Sequence, residues 1–342
     1  MSDNIFTYKN SEKGIIITGL ADKESVSEII IPDTIDGTPV TTIGEDAFYK
    51  CKNLKNVKLG KNVRYIENNS FAESGITHIN LEKNIKYIGN YAFEDCRKLN
   101  DVTWNCDLSI SEYCFAGCSA LHHFDFSHVT GIQLLAFEES GLKEAQLTNN
   151  VEYIENGVFR GSNLEKVQLG KNIRGIGDYA FSNCRWLKEV VWDCNNQVTR
   201  GCFYNNVSLT KFDFSNIPGI DEAAFSKSGL IEIQLDKKVE RIEKGAFSNC
   251  KKLSNVIWNC PQSIPQDCFK SCTSLKNIDL SKAAGIDKCA FSKSGLREIQ
   301  LDENLQRIGE GAFSECKRLK NAIWNSKKPV PRSCFENCTA LI

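Results

Sequence analysis

Sixteen cysteines and four histidines are the side chains of this 342-residue chain best suited to nucleophilic or metal chemistry. The cysteine spacing points elsewhere. Eight stand three residues after a Phe: Cys51, Cys96, Cys118, Cys184, Cys250, Cys272, Cys316 and Cys338. Other copies hold Ser74, Ser140, Ser162, Ser228, Ser294 or Asn206 at that place. Cys114, Cys202, Cys268 and Cys334 directly precede a Phe, where other copies have Ala, Ser70 or Val158. Cys106, Cys194 and Cys260 follow a Trp by two residues, where the last copy has Ser326. Exchange with small residues marks a small buried side chain with weak hydrogen-bonding ability. The alternative, a disulfide framework, needs partners that vanish together, yet Cys334 persists where Ser326 replaces its neighbour, and Cys184 faces Asn206. No Cys-x-x-Cys with tight metal spacing occurs. Cys289 falls outside all three columns and is the candidate for an exposed, reactive thiol.

His122, His123 and His128 share one repeat and His78 stands apart, with no Cys or carboxylate at ligand spacing. They read as surface residues of turns and sheet. No GxGxxG, P-loop, GxSxG or HExxH is present, so neither a catalytic constellation nor a cofactor or metal site is expected. The net charge of −1 offers no case for a general nucleic-acid binder. The longest apolar runs, such as Ile15-Ile16-Ile17 and Ile29-Ile30-Ile31, are too short for membrane insertion as a helix. Met1-Ser2-Asp3-Asn4 shows neither the basic nor the apolar region of a secretory signal, so the protein is either intracellular or a mature form. Three Asn-x-Ser/Thr sequons occur, at Asn68, Asn206 and Asn337.

The elements that position these residues come from a repeat. Fourteen Phe, from Phe48 to Phe335, recur every 22 residues, with a single step of 23 between Phe48 and Phe71. Five residues before each stands Ile or Val, from Ile43 to Val330. After each comes LxxVxL, as in Leu54/Val57/Leu59 or Leu99/Val102/Trp104, whose last two apolar residues alternate with polar ones. That alternation predicts a short strand with one buried face. One repeat cannot make a core; stacked repeats make a continuous one. The expected fold is a mostly β repeat solenoid, a right-handed superhelix with one long parallel concave sheet and about 14 repeats. The segment around each Phe is expected to form a tight turn or short helical turn opposite the sheet. Trp104, Trp192, Trp258 and Trp324 occupy the inward strand position and should all be buried. The last three are 66 residues apart, so Trp, Cys-Phe and Ser-Gly repeat types cycle as a three-repeat block.

The unit Ile88-Gly89-Asn90-Tyr91-Ala92-Phe93-Glu94-Asp95-Cys96-Arg97-Lys98-Leu99, echoed from Ile176 to Leu187, resembles the BspA-like (Treponema pallidum-type) leucine-rich repeat. The resemblance covers roughly residues 5–342. It implies an α/β-type leucine-rich-repeat solenoid and, for many relatives, cell-surface or secreted adhesion, and it transfers no catalytic residue. A Pro often follows the strand in that family; here the place holds Gly60-Lys61-Asn62 or Glu82-Lys83-Asn84.

Residues 1–40 read as an N-terminal cap with a degenerate first rung, and residues 41–342 as the repeats. Residues 5–20 predict a β-hairpin over the open end of the core, Val26, Ile29 and Ile31 the degenerate rung, and Asp36-Gly37-Thr38-Pro39 a turn insertion. At the other end the pattern halts at Leu341-Ile342, where a strand is due. Phe335 and Val330 are then expected to be exposed and to favour end-to-end self-association.

Strand residues flanking the inward pair face outward. Of the thirty-nine such positions between the rungs of Val57 and Ala322, twelve are acidic and three are Lys. The sheet therefore carries about −9, which leaves the back and edges basic. Such a face is either a solubility device or a binding surface. As a surface for a protein or glycan partner it centres on Glu189, Asp193, Asp213, Glu232, Asp236, Asp279, Glu298 and Asp302 around the solvent-facing Val191 and Ile257. A stalk presenting another domain and an intracellular interaction module are the alternatives to an adhesion scaffold.

Overall fold

The computed structural model of the protein describes residues 5–147 and 150–341. Contacts divide the chain into two compact units, Met1–Gly175 and Ile176–Ile342. In each the chain winds as a parallel β-solenoid, one coil per 22-residue repeat, and no helix occurs among the described residues.

Three hydrogen-bonded ladders hold the coils together. The first is the expected sheet. In the first unit His78–Leu81 pairs with Asp101–Trp104, setting Ile79 beside Val102 and Leu81 beside Trp104. In the second unit Glu232–Leu235 pairs likewise with Asn255–Trp258, and Glu298–Leu301 with Asn321–Trp324. The period-two pattern puts the apolar pair inside and the polar residues outside. The second ladder is formed by the Ile column, as in Ile66 beside Ile88 or Ile220 beside Ile242. In the Cys-Phe rungs it shrinks to single bridges, such as Ile264 to Ile286. The third ladder runs through the Phe turns. The N–H groups of Tyr91, Phe93 and Asp95 donate to the carbonyls of Glu112, Cys114 and Ala116 in the next coil, at 2.8–3.0 Å, whereas Glu94 and Cys96 donate back to Tyr91 and Phe93. A residue with positive φ stands two before and two after every one of the fourteen Phe. The turn expected around the Phe is therefore a doubly left-handed one rather than a helical one.

The Phe rings fill the centre as stacks. Phe71 and Phe93 lie 5.5 Å apart with planes 6° from parallel, and Phe291 and Phe313 5.4 Å apart at 2°. At the N-terminus, Phe6–Ser11 and Gly14–Leu20 form an antiparallel hairpin whose second strand pairs in parallel with Thr38–Ile43, and so begins the Ile ladder. Glu28–Ile30 pairs with Asn56–Lys58, the place of the degenerate rung. Asp36 and Gly37 have positive φ in the turn joining Thr34–Ile35 to Thr38–Ile43.

The parallel sheet is not one unbroken ladder. Residues 123–126, 211–214 and 277–280, in the Cys-Phe rungs, make no strand. All three carry an Asp-x-Ser turn: the Ser127, Ser215 and Ser281 amides donate to Asp125, Asp213 and Asp279 at 2.8–2.9 Å. A side chain that captures a nearby amide offers the backbone an alternative to the ladder. In two of the rungs both inward positions are Phe, and Phe212 crowds Phe214, Phe203 and Trp192 at ring distances of 4.9, 5.4 and 5.9 Å.

Trp104, Trp192 and Trp258 are buried, each edge-on to the Phe of the next coil. Trp324 departs from expectation: it is half-buried, because no later described rung stacks on it, and its indole N–H donates to the Lys328 carbonyl. In that last region Val330 is exposed and Phe335 half-buried. Of Leu341-Ile342, the second residue lies outside the described residues, as does Thr148 of the sheet face.

Candidate functional site

All sixteen cysteines are free thiols, and only Cys289 is not buried. Their column has a bonding role that the sequence did not disclose. The thiols of Cys96, Cys250 and Cys316 donate to the carbonyls of Phe71, Phe225 and Phe291, one coil earlier, at 3.0–3.1 Å. Asn206 does the same with its amide, to Phe181 at 3.0 Å, which seals that sequon inside the core. Burial pushes the Cys96, Cys106, Cys260 and Cys334 thiols up to about 12, and those of Cys250 and Cys316 to about 11. Such groups are not nucleophiles at neutral pH. Cys289 is half-buried with φ 55° and lies 3.9 Å from the Glu310 carbonyl. The histidines do not converge: His128 meets Asp107 at 2.8 Å and His122 the Gly141 carbonyl at 3.1 Å. Among the described residues no three His, Cys, Asp or Glu side chains gather to hold a metal ion.

The sheet face of the second unit is where the outward residues do gather. Because rung 211–214 leaves the ladder, a hollow of about 670 Å³ opens over it. Glu189, Asp213, Glu232 and Asp236 line this hollow with Lys188 and Lys211, while Phe212 and Ile257 supply apolar surface. The structure thus brings together five of the residues singled out from sequence. Val191, Asp193, Asp279, Glu298 and Asp302 are not in its lining. Val191 is half-buried rather than solvent-facing, whereas Ile257 is 39% exposed. Its strand, Glu189–Trp192, runs beside the Phe212 rung, and Trp192 packs against Phe212 at a ring distance of 5.9 Å.

The carboxylates fall into two groups. Asp213, Asp236 and Asp279 each accept a backbone N–H two residues on, from Ser215, Lys238 and Ser281, so they build the turns at the strand ends. The Ser281 amide holds the Asp279 carboxyl below the ordinary aspartate range. Asp302 accepts from the Gln300 side chain. Glu189, Glu232 and Glu298 instead stand exposed at the first position of their strands. Sequence reasoning counted Lys211 among the outward lysines of this face but missed Phe212. The signal was there: Lys211-Phe212-Asp213-Phe214 puts Phe at both inward places of a rung that ends in Asp-x-Ser. The same composition in the first unit, His123-Phe124-Asp125-Phe126, opens a hollow of about 450 Å³ beside Asp101 and Glu144.

Away from the sheet, opposite charges pair from coil to coil, as in Arg200–Glu222 at 2.9 Å and Lys293–Glu315 at 3.2 Å. These pairs are solvent-exposed, so each contributes little to stability. No helix is long and apolar enough to cross a membrane among the described residues.

The BspA type leucine rich repeat region matches residues 20–140, 130–254 and 218–342 in six copies. Among curated proteins none matches this chain. A leucine-rich repeat protein of Bacteroides ovatus is similar in fold, with a TM-score of 0.63 at 19% identity over 100% of this chain and 93% of that one. A leucine rich cell surface protein of Faecalibacterium prausnitzii is similar with a TM-score of 0.53 at 22% identity, again over 100% of this chain and 93% of that one.

Proposed function

The chain belongs to the BspA-type leucine-rich-repeat family, and from that premise we propose a non-enzymatic scaffold that recognises a protein partner at a cell surface. The partner lays a basic, hydrogen-bonding segment across the sheet face of residues 176–342, over the Phe212 hollow. The observation that carries this reading is the composition of that hollow: four carboxylates outnumber its two lysines, Lys188 and Lys211, around the apolar Phe212 and Ile257. Exposed carboxylates in neighbouring rungs attract cationic groups over about 8 Å at physiological salt. Phe212 and Ile257 give the partner apolar surface to desolvate. The surface location draws on the Faecalibacterium relative, itself a cell surface protein, and adhesion is the role that such a location favours.

The test uses an extended peptide of alternating Gly and Lys as probe. Glu189→Gln with Glu232→Gln removes charge and leaves the Asp213 and Asp279 turns intact. The double variant should slow association and flatten its salt dependence, since complementary charge acts chiefly on encounter. Unchanged rate and salt dependence would make the acidic face a solubility device.

A further inference from the structure

At the edge where each Phe turn runs toward its strand, the Ser-Gly rungs are one residue short. Leu230 follows Phe225 by five residues, whereas Leu253 follows Phe247 by six. Gly229 makes the shortcut. Its amide donates to the Asn206 carbonyl at 3.0 Å, and a Cβ there would lie 2.2 Å from the Val207 carbonyl oxygen. A short loop between longer ones leaves a notch of about 350 Å³, lined by Asn205, Val207, Lys227, Asn249, Lys251 and Lys252.

No carboxylate lines this notch. Equivalent places in other rungs hold an internal counter-charge. Beside Gly75, Glu73 meets Lys52 at 3.2 Å and Lys50 at 3.7 Å; beside Gly295, Glu315 meets Lys293 at 3.2 Å. Around Lys227 the matching residues of the neighbouring coils are Asn205 and Asn249. Among the described residues Lys227, Lys251 and Lys252 take part in none of the ion pairs. Two of them are nonetheless held in place. The Lys227 ammonium donates to the Tyr204 hydroxyl at 2.5 Å and lies 4.9 Å from that ring's centroid, and Lys252 reaches the Val207 carbonyl at 3.4 Å. Positive charge is thus gathered without an internal counter-charge, and a bound anion would relieve its self-repulsion.

The uncharged groups narrow the ligand. The Asn205 and Asn249 amide nitrogens already donate, to Asn183 and Ser248, which leaves their Oδ1 atoms to accept from hydroxyl groups. Val207 is 43% exposed, and Trp186, in the corresponding loop one coil earlier, is 60% exposed. Sulfate offers neither hydroxyl donors nor an apolar face, and inorganic phosphate lacks the apolar face; an acidic sugar offers both. We propose that the Gly229 notch binds an anionic saccharide, with Lys227, Lys251 and Lys252 on its sulfate ester or carboxylate and its ring against Val207. The site is independent of the acidic sheet face, and neither reading requires the other.

Calorimetric titration of the full chain tests this with a heparin-derived octasaccharide, an oligogalacturonate of equal length, maltooctaose and sodium sulfate. The first two separate sulfate from carboxylate, and at least one should bind while maltooctaose does not. Lys227→Gln/Lys251→Gln/Lys252→Gln should weaken binding roughly tenfold or more. The same charge removed at the next notch, by Lys293→Gln/Lys317→Gln/Arg318→Gln, should change it less than about twofold. Asn205→Asp/Asn249→Asp keeps every lysine but supplies the counter-charge that the other notches possess, and should abolish binding. This second variant decides the matter if the lysine variant fails to fold. Binding of neither acidic saccharide, equal weakening by the two charge-matched variants, or sulfate competing at equal concentration would overturn the proposal.

Discussion

A buried ring of the core packs against a ring of the adjoining coil, so removing it loses that contact as well as its own burial. Trp258, 2% exposed, packs edge-on against Phe269 at 6.0 Å, whereas Trp186 stands in solvent. Trp258→Ala should cost about 3–5 kcal/mol in urea unfolding, and Trp186→Ala less than about 0.5 kcal/mol. Native fluorescence quenched by iodide should come mainly from Trp186, with a smaller share from the half-buried Trp324. Quenching of most of the signal in the Trp186→Ala variant would contradict this placement. The thiols give a pH test. With folded values near 11–12 for Cys96, Cys106, Cys250, Cys260, Cys316 and Cys334, the unfolded state, ionising near pH 8.5, sheds protons that the folded state keeps. Stability is therefore full below about pH 8.5 and declines as pH rises toward 11, by about 1.4 kcal/mol per unit for each thiol. Urea midpoints measured from neutral to alkaline pH should show that decline, and Cys250→Ser should make it shallower. Equal slopes for the parent and variant would remove Cys250 from the account.

At the scale of the rung, two glycines separate two causes of strain. Gly229 has ordinary φ but no room; Gly245 has φ +65°, and a Cβ there would meet no atom nearer than 3.8 Å. Gly229→Ala should therefore cost about 1–3 kcal/mol through overpacking, and Gly229→Asn no less. Gly245→Ala should cost about 1–2 kcal/mol through left-handed backbone, and Gly245→Asn should recover part of that, since Asn tolerates this conformation. Melting of the four variants checks the pattern, and recovery at both sites would refute it. What the chain discloses before folding follows the same division. The Phe, the Ile column and the inward strand pair were legible because burial demands apolar residues in every copy. The left-handed pair around each Phe was not, because Asp, Lys, Tyr, Leu and Cys all occupy it. The Ile column looked like packing alone, since a two-residue strand such as Arg241–Ile242 carries no alternation to read. The breaks in the sheet were hidden because Asp-x-Ser fits the polar positions of a strand as well as a turn. The acidic residues of the sheet face were legible as a group, but only stacking shows that Glu189 and Glu232 meet across the Phe212 hollow while Glu298 stands apart.

Across the whole chain no covalent bond supplements the ladders, for all sixteen cysteines are thiols. A reductant should leave the melting temperature unchanged, and intact mass should equal that of the fully reduced chain. A lower melting temperature in reductant would reveal a disulfide staple. Stability then rests on neighbour-to-neighbour terms, which gives the 66-residue block of Trp, Cys-Phe and Ser-Gly rungs a further significance. Removing residues 221–286 joins Ile220 to Asp287 and reproduces the native Ile286-Asp287 junction, with every kind of rung still beside its usual neighbour. Removing residues 221–242 instead places a Trp rung after a Cys-Phe rung, the reverse of the native order, in which the Trp rung comes first. The longer deletion should keep a urea midpoint near the parent's, and the shorter one should unfold earlier. The reverse order would deny the block its role. Near-copies spaced this way are also substrates for unequal recombination at the gene, which adds or discards whole blocks in frame. The length of such a protein becomes a heritable variable that can drift or be selected while its cross-section stays the same.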